Sequence, residues 1–258
     1  MKNDLKHGLD PVAFAKNLLD FHPDPWQEQV LRYQGDRLIL LCARQTGKST
    51  VVSVRALHEA LFNPGSLTLL VSPSQRQSSE LFKKIMVEMG KLPEQPQKVE
   101  DNRLSCTLKS GSRIVSLPSA EGTIRGYSAP DLIVIDEAAR LPSEETYLAI
   151  RPMLATGEGT LILLSTPAGR MGFFHTAWES EEGWEKIKVL ARDCPRISED
   201  FLKEELETLG SFYFRQEYEV EFLEGEQSVF RFDDIMAAFT PDVKAVNLWG
   251  AKHDQSGT

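Results

Sequence analysis

The sequence predicts an α/β fold in which a mostly parallel sheet is flanked by helices. Three observations carry that expectation. Apolar runs of strand length recur at Leu38-Ile-Leu-Leu41, Leu67-Thr-Leu-Leu-Val71, Leu132-Ile-Val-Ile135 and Leu161-Ile-Leu-Leu164. Such runs are continuous rather than alternating, as a strand buried on both faces requires. Segments of helical period separate them, and alternation of this kind implies parallel strands joined by right-handed crossovers. The chain has 258 residues, which suits one large domain or one domain with a small appendage.

Residues 1–35 read as helical and partly amphipathic. Val12, Phe14, Ala15, Leu18 and Leu19 fit one helical face, and Val30 and Leu31 recur after Pro25, a residue suited to a first helical turn. The first strand covers about 37–42. The helix after it carries Val51, Val54, Leu57 and Leu61 on one side and stops at Asn63-Pro-Gly65. The second strand, 67–71, ends at Ser72-Pro73. Helical period returns from Ser78 to Met89 through Leu81, Phe82 and Ile85. Residues 91–101, rich in Pro, Gln and charge, read as a loop. Two short strands, 103–109 and 113–117, flank Ser110-Gly111 as a hairpin. A strand over 131–136 follows. Ser143 then caps a helix with two Glu in its first turn. A further strand covers 160–165. From Ser198 the pattern is helical again, with Leu202, Leu206 and Leu209 on one face, and an aromatic-rich helix occupies about 211–222. Glu224-Gly-Glu226 loosens the chain, and 228–258 reads as short apolar pieces between turns. The expected division is a core at 1–225 and a small lid or linker at 226–258.

The chemistry is concentrated where the first strand ends. Cys42-Ala-Arg-Gln-Thr-Gly-Lys-Ser-Thr50 stands between that strand and the next helix. Strand, turn, Gly-Lys-Ser and helix together describe a phosphate-binding loop. Backbone N–H groups at a helix N-terminus converge on an anion, Lys48 adds a full charge, and the Ser49 hydroxyl is placed for Mg²⁺. Arg44, Gln45, Thr46, Gly47 and Thr50 complete the nucleotide-binding stretch. Cys42 stands where the first glycine of such loops is expected. About ninety residues on, Asp136-Glu137 follow the run 132–135. Two carboxylates ending a buried strand need a partner. A magnesium nucleotide supplies one, with Asp136 in the metal shell and Glu137 polarising the attacking water. A strand-end pair of solvated acids is the plainer alternative. The upstream Lys48-Ser49 decides against it. A glutamate directly after the metal aspartate, with strands between loop and aspartate, indicates the P-loop NTPase class that has an additional strand and a catalytic glutamate.

Other residues are candidates with plainer alternatives beside them. Arg44 either reaches the phosphates or pairs with a nearby acid. Arg140 either acts as an arginine finger or pairs with Glu144 or Glu145. Ser165-Thr166 either sense the γ-phosphate or merely end a strand. Trp26 and Gln27 would stack on adenine and read its edge, or Trp26 is core. Arg125 and Arg76, on loops at the carboxyl edge of the sheet, are candidate phosphate or DNA contacts, and otherwise surface charges. Trp178, Trp184, Phe212, Tyr213, Phe214 and Tyr218 read as core packing.

Composition narrows the class. A net charge of −9 excludes a surface that is basic throughout, though a local basic patch remains compatible with it. No apolar run is long enough to cross a bilayer, and the N-terminus lacks the apolar core of a signal peptide. Cys42, Cys106 and Cys194 have no metal-ligand spacing and read as reduced thiols of a cytosolic protein.

Trp26-Gln27, Ala43-Arg-Gln-Thr-Gly-Lys-Ser-Thr50, Ile124-Arg-Gly126, Leu132-Ile-Val-Ile-Asp-Glu-Ala138 and Leu164-Ser-Thr-Pro167 together resemble the ATPase domain of the large terminase subunit of tailed bacteriophages, the motor that packages DNA into procapsids. The likeness spans about 20–225. It implies that Trp26-Gln27 form an adenine-recognition motif and that the missing first glycine is a family trait. It also implies that Ser165-Thr166 form a coupling motif and that Arg140 lies near the family's arginine finger. The implied cofactors are ATP and Mg²⁺. The implied partners are double-stranded DNA, the portal protein, the small terminase subunit and further copies of the chain in a homo-oligomeric ring, a pentamer, docked on the procapsid in the host cytoplasm, with no membrane. Family members carry a nuclease domain after the ATPase. This chain reads as ending about where that domain begins, so no DNA cleavage is expected of it. Two rivals stay open at this point: a helicase-like nucleic-acid-dependent ATPase, which would need a second RecA-like domain, and a nucleotide-switched binding protein, against which Glu137 argues.

Overall fold

A computed structural model describes residues 2–119, 124, 126–155 and 159–224. One unit comprises Met1–Leu223. The second, Glu224–Thr258, on which the expected lid or linker at 226–258 falls, lies outside the described residues apart from Glu224. Arg125 lies outside them as well.

Three short helices open the chain, α1 (Lys2–Leu9), α2 (Pro11–Leu18) and α3 (Pro25–Arg32). Pro25 occupies the first turn of α3, where its missing N–H is no loss. There follow β1 (Arg37–Cys42), α4 (Lys48–Phe62), β2 (Leu67–Ser72), α5 (Gln75–Gly90), β3 (Lys98–Asp101), β4 (Ser105–Leu108), β5 (Arg113–Pro118) and β6 (Leu132–Asp136). The described chain closes with α6 (Glu145–Leu154), β7 (Thr160–Ser165), α7 (Gly172–Glu179), β8 (Glu185–Val189) and α8 (Glu199–Glu217). The strands form one eight-stranded sheet in the order β3-β4-β5-β2-β6-β7-β1-β8. Along that order the strands from β5 to β8 pair in parallel, and β3 and β4 extend the sheet as an antiparallel edge.

Period-two alternation along the central strands divides the core into two layers. Leu38, Leu40 and Cys42 face α2 to α5 with Leu132, Val134, Ile162 and Leu164. Ile39 and Leu41 face α6 and α7 with Ile133, Ile135, Leu161 and Leu163. Each fully buried aliphatic side chain contributes roughly 1.5–3 kcal/mol, so these four strands anchor the molecule. The same alternation puts Asp136 on the face of Leu132 and Val134, the side of α4.

Several expectations need correction. Part of the expected loop at 91–101 is the edge strand β3, whose four residues are all exposed. β8 and α7 have no counterpart in the expected elements. The expected pair of helices, one from Ser198 and an aromatic-rich one after it, is present: Glu199–Glu217, labelled α8 as a whole, is two helices joined at a non-helical Gly210 (φ 75°, ψ 164°), and the second ends at Glu217 rather than at about 222. Leu206 and Leu209 do not share a buried face: they are 42% and 39% exposed. Tyr213 is likewise exposed rather than core, whereas Trp178, Trp184, Phe214 and Tyr218 pack as expected.

Gly159 marks a close backbone approach. A Cβ on it would overlap the carbonyl oxygen of Pro130 where the chain enters β6, and the Thr160 N–H bonds the Asp131 carbonyl beside it at 2.9 Å. Gly159→Ala is expected to destabilise the chain by about 1–3 kcal/mol, because backbone rather than a flexible side chain must yield. An unchanged melting temperature would contradict this.

Candidate active site

β7 lies between β1, which leads into the phosphate loop, and β6, which ends at Asp136. Register pairs Leu41 with Ser165 and Asp136 with Leu164, so the loop, Ser165-Thr166 and the acidic pair emerge from one end of the sheet. The loop turns through left-handed conformations at Gln45 (φ 61°) and Gly47 (φ 91°), and α4 starts at Lys48. The first N–H groups of such a helix have no intrahelical acceptor and carry the positive end of its dipole.

The side chains converge across β7. The Ser49 hydroxyl donates to Asp136 Oδ2 at 3.4 Å. Lys48 Nζ lies 3.2 Å from Glu137 Oε1, and both side chains are largely covered. Asp136 is 8% exposed. Burial pushes its carboxyl above the usual carboxylate range, with Lys48 opposing the shift and Glu137 adding to it. Glu137 is left-handed (φ 53°, ψ 42°), which costs a non-glycine residue about 1–2 kcal/mol and turns the chain sharply after Asp136. Cys42, at the missing-glycine position, is fully buried at the end of β1, where burial pushes its thiol up to about 12; it fills core volume.

Neither plainer alternative for Arg140 holds. Its guanidinium donates to Thr166 Oγ1 and to Glu217 Oε1, each at 2.8 Å, and lies 3.7 Å from Glu137 Oε2. Arg44 donates through Nε to the other oxygen of Glu217 at 2.8 Å, and its backbone N–H bonds the Glu217 carbonyl at 3.1 Å. Glu217, at the end of α8, therefore joins the phosphate loop to Arg140. Burial alone would raise its pKa. The hydrogen bond and charge of Arg140, with the charge of Arg44, instead hold it below the ordinary glutamate value. Ser165 Oγ is buried without a partner.

Trp26 packs against the core, with its indole N–H buried and without a partner. Gln27 is 1% exposed and lies against the loop. Its Oε1 accepts the Asp24 N–H at 2.9 Å, and its Nε2 is directed at Gly47 of the loop. Arg76 stands apart. It lines a separate cavity of about 240 Å³ with Ser79, Lys83 and Arg103. Besides Glu217, the sequence reading misses Arg196, which donates to the Thr46 carbonyl at 3.0 Å and forms a bidentate pair with Asp24. Glu217 and Arg196 lie 150 or more residues from the loop in sequence, and no spacing pattern marks them.

The fold is an α/β sheet flanked by helices, and the loop, Ser165-Thr166 and the acidic pair stand together at one end of it. Residues 39–237 match the family model "Terminase large subunit, T4likevirus-type, N-terminal", and the chain belongs to that family. The terminase large subunits of Thermus phage G20c and Thermus virus P23-45 are each 27% identical to it over 86% of this chain and 53% of their own length. The chain thus spans about half the length of the curated relatives it matches. In fold it resembles the large terminase ATPase domain of Thermus phage P74-26, with a TM-score of 0.73 at 23% identity, covering 83% of this chain and 100% of that one. The large terminase of a further thermophilic bacteriophage, in complex with ADP, aligns at a TM-score of 0.62 and 11% identity, covering 78% of this chain and 54% of that one.

Proposed function

We propose that this chain is an ATP-hydrolysing motor domain that drives viral DNA into procapsids. The observation that carries the reading is the meeting of Lys48, Ser49, Asp136 and Glu137 at one end of the sheet, in a chain of the terminase family. Lys48 and the N–H groups opening α4 receive the β- and γ-phosphates. Asp136 and Ser49 suit Mg²⁺: a buried carboxylate beside a hydroxyl offers the hard oxygen donors that ion takes. An ion held there would supply positive charge against the phosphates. Glu137 orients and polarises the attacking water once Lys48 turns to phosphate. Arg44 and Arg140 exchange Glu217 for phosphate charge, Arg140 serving as the arginine finger in its own subunit or a neighbour's. Through Arg140, Thr166 with Ser165 transmits the loss of the γ-phosphate. Trp26 and Gln27 bound the adenine side.

The moving substrate is double-stranded DNA. Arg76, with Lys83 and Arg103, offers positive charge to its backbone, and Arg125 is assigned the same role. Portal protein, small terminase subunit and sister subunits in a five-membered ring complete the machine on a procapsid in the host cytoplasm. DNA cleavage is assigned to none of these residues. The test is phosphate release from ATP at high protein concentration with duplex DNA present. Chelation of Mg²⁺ and Lys48→Ala should each lower the rate about 100-fold or more. A rate that survives both would sink the reading.

A further inference from the structure

Side chains from outside the phosphate loop bond or abut it at Thr46 and Gly47. Arg196 Nη2 donates to the Thr46 carbonyl at 3.0 Å and to Asp24 Oδ2 at 2.8 Å, and its Nη1 donates to Asp24 Oδ1 at 3.1 Å. Asp24 sits at the start of α3, where Gln27 fixes its backbone N–H. A Cβ built on Gly47 would lie 2.9 Å from Gln27 Nε2 and 3.6 Å from Arg196 Nη2, so both groups press on the same side of the loop. Thr46 is fully buried, and its hydroxyl donates to the Ala43 carbonyl at 2.9 Å.

The peptide plane turns this into a statement about the ligand side. In a trans peptide the carbonyl and the following N–H point in opposite directions. Holding the Thr46 carbonyl toward Arg196 therefore aims the Gly47 N–H away from Arg196, to the side that the nucleotide reading gives to phosphate. A cradle of N–H groups binds an anion through the orientation of its dipoles, so one rotated peptide weakens it. The bidentate pair with Asp24 leaves Nη2 at a fixed place and angle, which a planar guanidinium can supply and an ammonium cannot.

We propose that Arg196, held by Asp24, is the positioning residue of the phosphate-binding loop: it sets the Thr46–Gly47 peptide and does not touch the nucleotide. The proposal rests on the nucleotide reading of the loop. The experiment measures the Kd for Mg·ADP by titration calorimetry, together with KM and kcat for ATP, in Arg196→Ala, Asp24→Ala, their double variant and Lys48→Ala. Arg196→Ala should raise Kd and KM about 5–30-fold and leave kcat within about twofold, since a misaimed dipole weakens ground state and transition state alike. Asp24→Ala should produce a similar rise, and the double variant little more, because the two act as a unit. A Kd unchanged in Arg196→Ala while Lys48→Ala abolishes binding would overturn the proposal alone. An unchanged Kd in Lys48→Ala would overturn the nucleotide reading itself. A fall in kcat at constant Kd would also overturn the proposal, by placing Arg196 in the chemistry. Should Arg196→Ala not fold, Arg196→Lys serves in its place: a rise of about threefold is expected, and a Kd equal to that of the parent chain would overturn the proposal.

Discussion

Glu137→Gln is expected to bind ATP at least as tightly as the parent chain and to hydrolyse it about 10²–10⁴-fold more slowly, the range over which a positioned general base contributes. The carboxylate lies 3.2 Å from Lys48 and is partly exposed, whereas Asp136 beside it is buried against the Ser49 hydroxyl. That difference separates their roles. The buried acid lies against the Ser49 hydroxyl, as an ion site requires, and the more exposed acid is reachable by water. Glutamine keeps the shape and the left-handed turn but accepts no proton. It also releases Lys48 from an ion pair, so nucleotide affinity holds or rises. Both side chains are largely covered, so the lost pair also costs stability, by more than the roughly 0–1 kcal/mol of a surface pair. Phosphate release under single-turnover conditions, set beside binding measured by calorimetry, checks both halves. A rate equal to the parent's would remove Glu137 from the chemistry.

The parts that were legible in the sequence share one physical property. β1, β2, β6 and β7 are buried on both faces, so burial writes an unbroken apolar run into each of them. β8 lies at the sheet edge and alternates Glu185-Lys-Ile-Lys-Val189; only Ile187 and Val189 are buried. β3 is exposed along its whole length and reads as loop. The loop and the acidic pair were legible because their chemistry is contiguous in sequence: Gly-Lys-Ser opens a helix, and Asp-Glu ends a strand. Glu217, Arg196 and Asp24 act on the same loop from remote segments. Their residue types are common on surfaces; the packing of α8 and the turn before it brings Glu217 and Arg196 to the loop, and Asp24 reaches it through Arg196. Leu206 and Leu209 mark the opposite failure. Helical period predicted a buried face, yet nothing among the described residues covers these side chains as it does the central strands.

Glu217 gives the second large effect, and its sign follows from its partners. Glu217→Ala removes the common acceptor of Arg44 and Arg140 while the backbone bond from the Arg44 N–H to the 217 carbonyl stays in place. Two guanidinium groups lose charge-assisted hydrogen bonds, but Arg44 is 60% exposed and water replaces much of its loss. A destabilisation of about 1–3 kcal/mol is expected, or a fall of roughly 2–10 °C in melting temperature for a chain of this size. The pH dependence identifies the cause. Glu217 has its pKa lowered in the fold: its burial raises it, and the hydrogen bond and charge of Arg140 with the charge of Arg44 overcome that rise. A carboxylate with a lowered folded pKa stabilises the fold above its unfolded pKa, about 4.3, and ceases to do so as pH falls through the folded value. The gap between the parent chain and Glu217→Gln should thus be full at pH 7 and close as melts are taken below about pH 4. At neutral pH the same variants should bind Mg·ATP several-fold more tightly, because phosphate no longer competes with a carboxylate for the two arginines, and turn it over more slowly, because Arg140 loses its anchor beside Thr166. A gap independent of pH, or weaker nucleotide binding in both variants, would show that Glu217 holds the arginines for shape rather than by charge.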